Sequence, residues 1–181
     1  MKRTFIADVK PGEQVKIAGF VENCRNKKAR AFLVIRDMTG KVQVYVEKEG
    51  NDELAAIVDQ LTIDSVVTIE GECIANEYVK MGGVEIIPDD LILKSVADAL
   101  PIARKEIPAT KKKQAVERSS IDQRIDYRWI DLRTDENQMM FKVQTAFVNA
   151  MRQFLIEKNF IEIHTPKLIG AASESGSDVF E

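Results

Sequence analysis

Residues 14–47 read QVKIAGFVENCRNKKARAFLVIRDMTGKVQVYVE, and their patterning decides the fold. Gln14–Glu22 sets Val15, Ile17, Gly19 and Val21 on one face, the two-residue period of a half-buried strand. Ala31–Asp37 is a short apolar run closed by Met38-Thr39-Gly40, a turn that ends in a permissive glycine. Lys41–Glu47 alternates again, with Val42, Val44 and Val46 on one side and Gln43 and Tyr45 on the other. Beyond it, Asp52 is placed to cap a short helix carrying Leu54, Ile57, Val58 and Leu61 at helical spacing. Two further strands are predicted, Ser65–Cys73 and Val84–Leu93, separated by a connection holding Met81-Gly82-Gly83. Three strands, a helix and two strands is the order of an OB-fold, a five-stranded barrel. Such a barrel binds on strands two and three, beside the loop joining strands one and two.

The bulk numbers fit that reading. A chain of 181 residues, 45% apolar and 30% charged, has the composition of a globular protein and the length of one ordinary domain, or of one small domain with part of another. A formal net charge of −3 excludes a protein that coats nucleic acid through its overall field. Any nucleic-acid contact must come from a local basic patch. The first eight residues hold too short an apolar stretch for a signal peptide, and no run approaches a membrane span. The two cysteines, Cys24 and Cys73, lack a CxxC spacing and imply neither a disulfide framework nor a metal site. A reducing, cytoplasmic setting is therefore expected.

Past the barrel the pattern changes. Ala99–Ser120, with Pro101, Pro108 and the run Lys111-Lys112-Lys113, reads as a linker. The lysine run is either solvated or a phosphate contact. From Thr134 the period becomes helical: Met140, Val143, Phe147, Met151 and Phe154 form an apolar stripe over four turns. Asn159 is a plausible stop, since asparagine tolerates a left-handed cap. Phe160-Ile161-Glu162-Ile163 then reads as a strand running into Thr165-Pro166, where proline ends regular pairing. A helix, one strand and a loop cannot bury that stripe unaided, so another chain or further residues must cover it.

Residues 23–36 hold five bases (Arg25, Lys27, Lys28, Arg30 and Arg36) and no acid. Most are expected in the loop between strands one and two, where they would attract a phosphate backbone. Phe32, at the start of strand two, is either a stacking platform for an unpaired base or a core aromatic. Gln43, whose amide both donates and accepts, either reads a base edge or merely faces solvent.

With those segments in place the sequence resembles the class IIb aminoacyl-tRNA synthetases. Residues 15–21, 32–37 and 40–44 look like their anticodon-binding barrel, and residues 124–133 (RIDYRWIDLR) like the stretch leading into their catalytic domain. The long helix followed by 160–168 (FIEIHTPKL) resembles class II motif 1, which packs in a dimer interface. IEIHTPKL followed by a Ser-Glu-x-Gly-x-x-x-Phe loop is most similar to aspartyl-tRNA synthetases of the archaeal and eukaryotic kind.

The resemblance implies a fold that is mainly β and then α+β. Residues 1–100 would form the OB-fold anticodon-binding domain, 101–133 a hinge, and 134–181 the start of a class II catalytic domain. It implies tRNA as partner, with Phe32 stacking on an anticodon base, Gln43 bonding to one and Glu85 reading the third anticodon position. Arg25, Lys28 and Arg30 would support the same contact. Glu174 would pair with the ammonium group of substrate aspartate, and Pro166 would lie in the interface of a homodimer. His164 is expected to serve packing or an interface hydrogen bond.

Two departures matter. Ser175 stands where the family loop usually has a glycine, and Glu22 where some relatives carry a larger or aromatic residue; the second leaves strictness for aspartate over asparagine tRNA open. The implied reaction forms an aspartyl-adenylate from aspartate and ATP with Mg2+, then transfers aspartate to tRNA. The groups that stabilise phosphate charge belong to motifs 2 and 3 of the class, which residues 1–181 do not contain. These residues alone are therefore expected to carry no catalytic group, bind no metal or cofactor, and leave aspartate unactivated. Two other readings remain: a free-standing tRNA-binding module without catalytic activity, and a general single-strand binder or interaction protein built on an OB-fold.

Overall fold

In the computed structural model, residues 1–103 and 117–167 are described, and the chain divides into two compact units, Met1–Leu100 and Pro101–Glu181. In the first, five strands close into a barrel: β1 (Gln14–Asn26), β2 (Arg30–Arg36), β3 (Lys41–Glu47), β4 (Val66–Ala75) and β5 (Val84–Ser95). Their order around the barrel is β1-β2-β3-β5-β4. All pairs are antiparallel except β3 with β5, whose short parallel contact pairs Gln43 with Glu85 and Val44 with Ile86. That contact closes the barrel and removes the exposed strand edges.

Alternation fills the interior. Val15, Ile17, Val21, Leu33, Ile35, Val42, Val44, Val46, Val67, Ile69, Ile86 and Leu91 are all essentially inaccessible to solvent. At about 1.5–3 kcal/mol for each large side chain removed from water, this set is the main force holding the barrel. Gly71 lets two strands close on each other: a Cβ there would lie 2.1 Å from the carbonyl oxygen of Ile87. Pro88, opposite Gly71, sits where the β4–β5 register shifts, so the missing N–H of proline costs no ladder bond.

The helix α1 (Asp52–Gln60) buries Leu54 and Val58 and packs against β5. Its cap is Asn51 rather than the expected Asp52: the Asn51 side chain accepts from the Leu54 N–H at 3.1 Å, and Asp52 opens the first turn. A buried carboxylate helps to hold the N-terminal segment. Buried Asp37 accepts from the backbone N–H groups of Ile6 (2.9 Å), Thr39 (2.7 Å) and Gly40 (3.0 Å), and from the Thr39 hydroxyl (2.6 Å). Burial raises its pKa, but these four donors outweigh burial and leave the carboxyl below its ordinary value.

The largest departure from expectation in the barrel is the length of β1. It runs to Asn26, four residues beyond Glu22, and carries a bulge at Glu22: Val21 pairs with Ile35 while Asn23 pairs with Val34. The extra residue inverts the alternation, so that Cys24 turns to the core and Arg25 outward. Burial pushes the Cys24 thiol up, away from reactive thiolate.

The second unit is helical: α2 (Ile121–Asp126), α3 (Arg128–Asp131) and α4 (Asp135–Glu157). Its organising group is Asp131, which is fully buried. The carboxylate of Asp131 accepts from Arg124 (2.8 and 3.3 Å), Arg128 (2.9 Å) and the Asn137 amide (2.9 Å). The Arg124 guanidinium above all holds its pKa low. Thr134 caps α4 through the Asn137 N–H, and the chain leaves α4 through Asn159 in the left-handed conformation, φ 64°. Residues 160–167 form no strand, contrary to expectation, because among the described residues they meet no strand to pair with. Pro166 and His164 there are exposed, as are Met140, Val143, Phe147, Met151 and Phe154 along α4. The lysine run 111–113 and Glu174 lie outside the described residues.

Candidate nucleic-acid interface

On the outer face of the barrel two rows of side chains cross the strands. The first follows the register Arg25↔Phe32↔Tyr45 through β1, β2 and β3. Phe32 is half-buried on the outside, not sealed in the core. The Arg25 guanidinium lies over its ring, 5.2 Å from the centroid, and Tyr45 meets it edge-on at 5.4 Å. A cation on one side and an aromatic edge on the other hold the ring in place, as a stacking platform requires. The Tyr45 hydroxyl donates to Glu47, and that bond raises its pKa, so it stays a neutral hydroxyl at physiological pH.

The second row is Val34↔Gln43↔Glu85. Glu85 is only 5% exposed. One carboxylate oxygen accepts from Gln43 Nε2 at 2.7 Å and the other from Asn76 Nδ2 at 2.8 Å. Each carboxylate oxygen has a second lone pair, and the Gln43 amide retains a carbonyl and a further N–H. The row is a hydrogen-bonding edge beside an aromatic platform.

The basic residues are distributed differently from the expectation. Arg25 stands on β1, and Arg30 and Arg36 on β2; only Lys27 and Lys28 are in the connecting turn. The longer β1 has absorbed what the sequence presents as loop. Arg25, Lys27, Lys28 and Arg30 are exposed at this end of the hairpin. Arg36 is at the other end, paired with Glu22 at 3.3 Å and Asp64 at 3.8 Å, and does not join the patch. Glu22 also accepts from Lys41 at 2.9 Å, which makes it part of an ion network. The turn itself is pinned: Lys48 Nζ donates to Asp59 (2.7 Å) and to Asn26 (3.0 Å), and the Lys48 N–H donates to Ala29 (2.9 Å).

Of the residues expected at this site, Arg25, Phe32, Gln43 and Glu85 are brought onto one face, with Lys28 and Arg30 at its hairpin end. Tyr45 and Asn76 were not anticipated. Tyr45 was within reach, because it shares the polar side of β3 with Gln43. Asn76, just past β4, carries no sequence signal for contact with Glu85. Among the described residues no group of three or more His, Cys, Asp or Glu side chains is placed to hold a metal.

A closed five-stranded barrel followed by helices matches an anticodon-binding OB-fold and the start of a class II synthetase catalytic domain. Two family models match accordingly: the OB-fold nucleic acid binding domain over residues 15–93, and the class II tRNA synthetases (D, K and N) over residues 120–181. Curated aspartate–tRNA ligases are homologous to the chain at 33–39% identity over nearly its whole length. It is 39% identical to the aspartate–tRNA(Asp/Asn) ligase of Methanopyrus kandleri, over 99% of this chain and 41% of that protein. It is 34% identical to the aspartate–tRNA(Asp) ligase of Thermococcus kodakarensis, over 93% of this chain and 37% of that protein. The chain thus spans about two-fifths of the length of these relatives.

Solved structures agree. Asparaginyl-tRNA synthetase from Pyrococcus horikoshii, complexed with asparaginyl-adenylate, superposes with a TM-score of 0.81 at 28% identity, covering 97% of this chain and 39% of that one. Aspartyl-tRNA synthetase from Entamoeba histolytica superposes at 0.78 and 29% identity, covering 94% and 40%.

Proposed function

We propose that the outer barrel face reads the anticodon of an aspartate tRNA on behalf of an enzyme that attaches aspartate to it. The observation that carries this reading is the Phe32 ring, held outward between Arg25 and Tyr45, beside the Gln43–Glu85 pair. An unpaired base stacks on the ring, its neighbour offers its edge to the amide and carboxylate, and Arg25, Lys28 and Arg30 neutralise the backbone between them. Residues 1–100 carry this binding function, 101–133 act as a hinge, and 134–181 open the catalytic domain.

In the whole protein the reaction is adenylation of aspartate with ATP and Mg2+, followed by transfer to tRNA in the cytoplasm. Glu174 pairs with the aspartate ammonium. The exposed stripe on α4 and Pro166 pack against a second copy. No helix among the described residues is long and apolar enough to cross a membrane.

Competition binding tests the reading. The 181-residue chain should prefer aspartate tRNA over the same tRNA with a scrambled anticodon loop, and should show no aspartate-dependent pyrophosphate exchange. Equal affinity for both RNAs favours a general single-strand binder; exchange above background overturns the assignment of catalysis to residues beyond these.

A further inference from the structure

The Glu85 carboxylate is held by two amides, and only one of them, Gln43, is on the proposed reading face. The other, Asn76, sits at the start of the β4–β5 connection and is bound on every side. Its Nδ2 donates to Glu85 at 2.8 Å, and its Oδ1 accepts from the Tyr78 N–H at 3.0 Å. Its backbone N–H donates to Gly83 at 2.8 Å, and its carbonyl accepts from the Val79 N–H at 3.0 Å. The connection is thereby folded back on itself, with Gly82 and Gly83 both at positive φ (74° and 67°).

From this geometry we infer that Asn76 is a positioning residue that holds the Glu85 carboxylate in the one orientation able to select a base bearing an amino group. The inference rests on the proposed anticodon reading. A carboxylate that is 5% exposed stays fixed in one orientation only while both oxygens are satisfied. With Gln43 on one oxygen and Asn76 on the other, each oxygen keeps a lone pair able to accept a further N–H. An amino group meets an acceptor there; a carbonyl oxygen at the same place meets a negative charge. Cytosine and uracil differ by that exchange at C4 and by a lone pair against an N–H at N3, so a carboxylate fixed opposite C4 distinguishes them. Removing the Asn76 donor frees one oxygen to swing toward solvent, and the distinction fades while stacking on Phe32 persists.

The experiment uses the 181-residue chain and two labelled anticodon stem-loops, carrying the aspartate anticodon with cytosine or with uracil at its third base. Wild type should favour cytosine by roughly ten-fold, the scale of one hydrogen bond to a charged group. Asn76→Ala should bring the two affinities within about two-fold by weakening the cytosine complex, with the uracil complex little changed. Asn76→Asp keeps the acceptor for the Tyr78 N–H but replaces the donor to Glu85 by a second carboxylate oxygen, which repels it. It should lose the preference equally, which separates carboxylate positioning from loss of the folded connection. If wild type shows the preference, Glu85→Gln removes it, and both Asn76 variants keep it, the positioning role is wrong and the anticodon reading stands. If wild type has no preference, both fall.

Discussion

Replacing Phe32 by alanine removes a ring that faces outward, so its cost should appear in RNA binding as well as in folding. Within the barrel the ring touches Arg25 at 5.2 Å and Tyr45 at 5.4 Å. A partly exposed cation–π contact contributes about 0.5–1 kcal/mol and an aromatic pair about 0.5–1.5 kcal/mol, so the fold should lose no more than about 2.5 kcal/mol. Truncating its fully buried neighbour Leu33 should cost about 2–5 kcal/mol instead. Losing one base stack should weaken binding by about 1–3 kcal/mol, roughly five- to 150-fold in Kd. Fluorescence anisotropy with a labelled anticodon stem-loop at fixed salt measures the second quantity, and thermal denaturation of the same sample the first. Phe32→Trp should retain affinity, whereas Phe32→Leu, which keeps apolar area without a π face, should not. The reasoning is refuted if Phe32→Ala binds as wild type, or if Phe32→Leu does.

Two further outcomes follow from the same structure. Replacing Lys28 and Arg30 together by alanine should weaken binding of matched and mismatched stem-loops alike. It should also flatten the dependence of log Kd on log salt by about 0.7–0.9 for each lost phosphate contact; an unaltered slope places both side chains away from RNA. The Asp37 carboxyl, held below its ordinary pKa in the fold, contributes stability that is complete above the unfolded carboxylate range and lost as pH falls through the folded value. Urea midpoints between neutral and acid pH should therefore drop less steeply for Asp37→Asn than for wild type, and parallel curves would contradict that account.

How much of this was legible in the chain itself can be judged residue by residue. Alternation in 14–22 and 41–47 fixed which side chains enter the barrel, because a strand has two faces and only apolar residues tolerate the dry one. Element order then selected the barrel, and Asn159 marked the end of α4. The outward face of β3 followed automatically, so Gln43 and Tyr45 were available as surface groups. The strand expected at 160–163 failed for a reason no local pattern records: a strand exists only with a partner.

Other features depended on contacts across the barrel. Strict alternation from Val21 would have turned Arg25 inward; the bulge at Glu22 reverses it and lays the guanidinium over Phe32. Nothing in the local pattern marks Glu85 as buried, yet closure of β3 against β5 buries it and supplies Gln43 and Asn76 as donors. Local periodicity sets the direction in which a side chain leaves its own strand. Which group waits for it across a closed sheet is decided by register, a property of pairs of strands that neither strand encodes alone.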